Sequence, residues 1–207
     1  MNQLEKFISQ SKSISQFAAE YIDYLNFVLK TVDMKSLDAL AAELLLARER
    51  GNTVFIIGNG GSASTATTMA NDLGFDVIKK SGCDLPFRIF SLTDNNAAMT
   101  AIGNDVGYEN LFVSQLAIHY RPGDMLLAIS ASGNSANILV AADWMKKRGG
   151  KVLSFVGFSG GMLKEISDVS VHVKCEKGEF GPVEDAHLAL NHILAHWFQV
   201  ILRGSRN

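Results

Sequence analysis

Two matched crossovers constrain this chain more than any other feature. An apolar run of strand length, Val54-Phe55-Ile56-Ile57, passes straight into Gly58-Asn59-Gly60-Gly61-Ser62-Ala63 and then into a helical pattern. A second run, Met125-Leu126-Leu127-Ala128-Ile129, passes into Ser130-Ala131-Ser132-Gly133-Asn134-Ser135 and again into a helical pattern. Apolar strands joined through helices are the material of a parallel sheet. Small residues at a strand-to-helix turn let backbone N–H groups approach an anion, and the helix N-terminus adds a favourable potential. A tight turn would account for the first loop alone, and capping for one serine of the second, since serine and asparagine are favoured N-caps. Three serines, a glycine and an amide within six positions go further, offering neutral donors for a phosphate monoester that must be released again.

The rest of the chain fits around these crossovers. Residues 1–50 read as a helical pair: Leu4, Phe7, Ile8, Phe17, Ala18, Tyr21, Ile22, Leu25, Val28, Leu29 and Val32 recur at helical spacing, followed by Leu37, Leu40, Leu44 and Leu45 up to Arg50-Gly51. Residues 51–207 alternate strands, expected at 53–57, 88–92, 125–130, 152–156 and 169–173, with helices near 62–73, 97–102, 108–119, 136–147 and 163–166. A long last helix is expected over 182–202, with Pro182 in its first turn and Glu184 and Asp185 at its positive end. The expected fold is therefore α/β: one domain, 1–207, with a doubly wound, mostly parallel five-stranded sheet flanked by helices and its binding loops at the strands' carboxyl ends.

Charge narrows the function classes. With 19 Lys+Arg against 21 Asp+Glu the formal net charge is −2, which gives no global field for a nucleic-acid backbone or an anionic membrane, so an anion must be caught locally. No apolar run approaches the roughly 18 residues of a membrane span. The first residues lack a secretory pattern, and the two cysteines, Cys83 and Cys175, are expected as free thiols in a reducing cytoplasm. The first glycine loop also fits the relaxed dinucleotide pattern G-x-G-x-x-A. The acidic residue required about 20 positions on would be Asp76, which precedes an apolar pair instead of closing a strand. No lysine follows the glycines, which excludes a nucleoside-triphosphate loop.

Together with the stretch Ala101-Ile102-Gly103-Asn104-Asp105-Val106-Gly107-Tyr108, the two loops resemble the sugar isomerase (SIS) domain family, and within it the phosphoheptose isomerases, over nearly the whole chain. The resemblance implies a SIS-type fold, a homotetramer built with the N-terminal helices, and a phosphorylated sugar as ligand. It implies that Ser130, Ala131, Ser132 and Ser135 hold the phosphate, and that Asn59, Gly60, Gly61, Ser62, Asn104 and Asp105 line the sugar. Ketose-to-aldose isomerisation moves a proton between adjacent carbons and needs a base beside them. The family supplies His and, four residues on, Glu from the helix after the glycine loop, and Gln and, eight residues on, His from the last helix. The same four positions bind zinc in several members. Here they become Thr68, Asp72, Glu184 and His192, so the candidate acid/base set is Asp72, Glu184 and His192. Thr68 does not replace imidazole as a ligand, which weakens the zinc site to the same three residues. Asp185, His192 and His196 share one face of an ideal helix as a second metal candidate. Some family members are regulators without catalysis, so a non-catalytic phosphosugar-binding or protein-binding module stands as the alternative function.

Overall fold

The computed structural model describes residues 1–204; the last three residues of the expected single domain, 205–207, lie outside the described residues. All five strands form, as β1 (Thr53–Gly58), β2 (Arg88–Ser91), β3 (Met125–Ser130), β4 (Lys151–Val156) and β5 (Val169–His172). They make one parallel sheet in the order β2-β1-β3-β4-β5. Side chains alternate across it. Val54, Ile56, Leu127, Ile129, Leu153 and Phe155 enter one core, shared with the N-terminal and C-terminal helices. Phe55, Ile57, Leu126, Ala128 and Val152 enter the other, covered by the helices after β2, β3 and β4. Burial on both faces explains why β1 and β3 read as unbroken apolar runs. The strand order reverses between β1 and β3, and the crevice at their carboxyl ends is where a sheet of this kind accepts a ligand.

Residues 1–50 form three helices instead of the expected pair: α1 (Gln3–Gln10), α2 (Ile14–Lys30) and α3 (Met34–Glu49). The chain is extended at Ser11, and Ser13 starts α2 by accepting a hydrogen bond from the Gln16 amide at 3.2 Å. The helix after the glycine loop, α4 (Gly61–Asn71), does not stop near residue 73. It runs through one π-helical turn, Asp72–Asp76, into α5 (Val77–Ser81). Next come α6 (Asn96–Asp105), a 3-10 turn at Tyr108–Asn110, α7 (Leu111–His119), α8 (Ala136–Lys147) and α9 (Gly161–Ile166). The last helix, α10 (Phe180–Ile201), begins two residues before Pro182, so Glu184 and Asp185 lie beyond its first turn and do not serve its positive end as expected. Among the described residues no helix is long and apolar enough to cross a membrane.

Candidate active site

The two loops meet. Asn59, Ser62, Ser130, Ala131, Ser132 and Ser135 line a single cavity of about 100 Å³ at the β1/β3 crevice, together with Phe180 and Glu184 from α10. Their serines are not acting as helix caps: Ser135 occupies the N-cap position of α8 without a side-chain capping bond. The Ser130 hydroxyl oxygen accepts from the Gly133 amide at 3.1 Å, and that of Ser132 accepts from the Asn134 amide at 3.2 Å. Each hydroxyl accepts in this way and keeps its hydrogen free to donate to an anion. The loops are stitched together by a reciprocal amide pair between Asn59 and buried Asn137, 2.9 Å in each direction.

Glu184 reaches the cavity because Gly61 has no side chain. A β-carbon at Gly61 would collide with the Glu184 carboxyl group, so the acid lies against the first turn of α4. Burial, and secondarily the neighbouring Asp185 charge, raise the Glu184 pKa above the ordinary carboxylate value. Asp185 itself accepts the Tyr21 hydroxyl from α2.

The other two candidate acid/base residues come together further along the same pair of helices. Asp72 Oδ2 accepts from Asn191 Nδ2 at 2.7 Å and stands 3.6 Å from His192 Nε2. Eight helical residues separate Glu184 from His192, a rise of about 12 Å. Thr68 donates its hydroxyl back to the Ser64 carbonyl at 3.0 Å. Asn104 and Asp105, at the end of α6, bond to each other at 2.7 Å and do not line the cavity, whereas Tyr108 just beyond them donates to Asn59 Oδ1 at 3.2 Å. A second chamber of about 550 Å³ adjoins the first, sharing Ser132 and Phe180 with it and adding Asn134, Phe158, Ser159, Cys175, Lys177 and Gly178. Among the described residues Phe158 is the one non-glycine with positive φ, 47°, and its ring meets Phe180 edge to face at 5.1 Å.

The sequence pattern of the SIS domain matches residues 16–157. The chain belongs to the SIS domain family. It is 36% identical to the phosphoheptose isomerase of Rhodospirillum rubrum over 157 residues, 75% of this chain and 81% of that one. It is 32% identical to the phosphoheptose isomerase of Aneurinibacillus thermoaerophilus over 162 residues, 78% of this chain and 79% of that one. The solved phosphoheptose isomerase of Neisseria gonorrhoeae superposes with a TM-score of 0.77 at 26% identity, covering 89% of this chain and 96% of that one.

The expected zinc set, Asp72, Glu184 and His192 with Thr68 in place of the family's His, is not gathered around one point among the described residues. Thr68 is no ligand, Glu184 turns toward Gly61, and among the described residues no three His, Cys, Asp or Glu side chains are grouped to hold a metal. The second candidate set is likewise dispersed, since Asp185 is engaged by Tyr21 while His192 and His196 border a groove between α3 and α10. Sequence reasoning missed Asn137, Asn191, Phe180 and Lys177. Asn137 follows the serine loop by two residues, and a polar residue at the second position of α8, ahead of the apolar run Ile138-Leu139-Val140, was the available signal. For the others, the positions acquire meaning only through contacts distant in sequence.

Proposed function

We propose that this SIS domain is an aldose–ketose isomerase of phosphorylated sugars, interconverting sedoheptulose 7-phosphate and glycero-manno-heptose 7-phosphate. The observation that carries the reading is the convergence of both phosphate-type loops and the Glu184 carboxyl group on one cavity, with the Asp72–His192 couple further along the same two helices. The phosphate docks on the Ser130, Ser132 and Ser135 hydroxyls and the start of α8, and the sugar lies along α10. Six carbon–carbon bonds of about 1.5 Å zigzag over no more than about 8 Å, so a heptose anchored by its phosphate extends toward Asp72 and His192. Asp72, oriented by Asn191, takes the proton from C1 of the ketose and returns it to C2 of the enediol, while His192 passes the hydroxyl proton from O1 to O2. Glu184, its carboxyl group lying against the first turn of α4, hydrogen-bonds the sugar beside the phosphate.

Likeness to phosphoheptose isomerases at 32–36% identity over three quarters of the chain supports the substrate. We also infer a homotetramer in the cytoplasm, supported by the exposed apolar residues of α2 and α10 and by two free cysteines. The test is turnover. Wild-type protein isomerises sedoheptulose 7-phosphate, with or without chelator because Thr68 stands where the family has a ligating imidazole, and Asp72→Asn abolishes turnover with phosphate affinity retained. Robust turnover by the Asp72→Asn, Glu184→Gln double variant contradicts the assignment. Sugar-phosphate binding without isomerisation, with or without added zinc, marks a regulator's pocket instead.

A further inference from the structure

The serine loop offers neutral donors only, and the one charged group lining its cavity is the Glu184 carboxyl. A cation beside this loop strengthens its hold on a phosphate dianion and offsets the nearby Glu184 carboxylate. Of the residues lining either this cavity or the adjoining chamber, Lys177 alone carries positive charge. Its ammonium makes no ion pair among the described residues. The backbone beneath it is held firmly. Glu179 N donates to the Glu176 carbonyl at 3.2 Å, closing a turn with Lys177 and Gly178 at its centre, and Gly178 takes the φ of 97° that this turn requires. The Glu179 carboxylate, fully buried, accepts from the Glu176 amide at 3.1 Å, the Gln3 amide at 2.7 Å and the Tyr24 hydroxyl at 2.6 Å. A buried acid tied to α1 and α2 thus fixes the turn and leaves only the lysine stem free to reach.

We propose that Lys177 is the cation that binds the substrate's phosphate group, its ammonium closing from the outer chamber over a phosphate monoester held by the serine hydroxyls. The identity of that phosphate as a substrate's rests on the isomerase reading; the anion site does not. The test is calorimetric titration of inorganic phosphate into the intact protein at low and high salt. Lys177→Met binds phosphate about tenfold more weakly and loses most of the salt dependence, as expected for a charge-assisted hydrogen bond. Lys177→Arg keeps wild-type affinity within about threefold, and Lys174→Met, on the same segment, leaves it unchanged. Affinity for Lys177→Met within twofold of wild type overturns the proposal. Lys177-dependent phosphate binding in a protein without turnover upholds it while removing the isomerase reading; turnover with phosphate affinity indifferent to Lys177 does the reverse.

Discussion

Ser130 and Ser132 each accept a backbone N–H within their own loop, and this leaves both hydroxyl hydrogens free to donate to an anion that enters. Replacing both by alanine removes donors to a charged group, so sugar-phosphate affinity falls by about 1 kcal/mol or more for each lost bond. Calorimetry checks this, and equal affinity of the wild type for phosphorylated and unphosphorylated sugar contradicts it. His187 shows the opposite use of a polar side chain. It is fully buried, stacks on Phe155 at 5.6 Å between ring centres, and burial pushes its pKa down to about 4. The unfolded chain, with His187 near its ordinary value of about 6.5, therefore binds more protons than the fold below that pH. Stability is lost as pH falls from about 6.5 toward 4, and burial lowers the His172 pKa in the same direction. Thermal melting at pH 7 and pH 4.5 measures the loss, and His187→Leu reduces it. An equal drop in wild type and variant would show that this imidazole is not responsible.

At the scale of elements, α4 and α10 matter most, because their starts meet at Gly61 and Glu184 and their later turns meet at Asp72, Asn191 and His192. Gly61→Ala places a methyl where the Glu184 carboxyl lies, and the carboxyl must shift from its position against α4. Turnover then falls about tenfold or more, with far-ultraviolet circular dichroism unchanged. A fully active Gly61→Ala enzyme would remove Glu184 from the mechanism. The five strands were legible because apolar runs bounded by glycine and polar residues report burial on both faces directly. The break between α1 and α2 was not, since the spacing of Leu4, Phe7 and Phe17 continues across Ser11-Lys12-Ser13 while the capping serine decides locally. Neither was the π-helical turn after Asp72, which one additional residue per turn produces without changing composition. Serines and glycines of the loops could be assigned to one cavity because each follows a strand; the direction taken by Glu184 depends on contact with a loop over 120 residues earlier. The docking of α1 by Glu179 is equally remote, joining residues 176 apart.

In the whole molecule, the neighbouring strands β1 and β3 bring the loops together, and the N-terminal and C-terminal helices cover one face while leaving apolar surface outside. Ile22 and Phe27 of α2 and Trp197 and Val200 of α10 are more than half exposed, and α3 and α10 border an apolar groove of about 630 Å³. Surface of this kind favours association of copies. Light scattering at micromolar concentration should report a tetramer mass; a monomer mass would contradict the assembly. As an isomerase, this fold moves a proton between the first two carbons of a ketose held by its phosphate. Nuclear magnetic resonance of purified protein with sedoheptulose 7-phosphate in deuterated water tests it most directly. The expected product is an aldose 7-phosphate carrying solvent deuterium at the carbon that receives the proton; sedoheptulose 7-phosphate that binds yet is recovered unconverted and unlabelled would rule this proton transfer out.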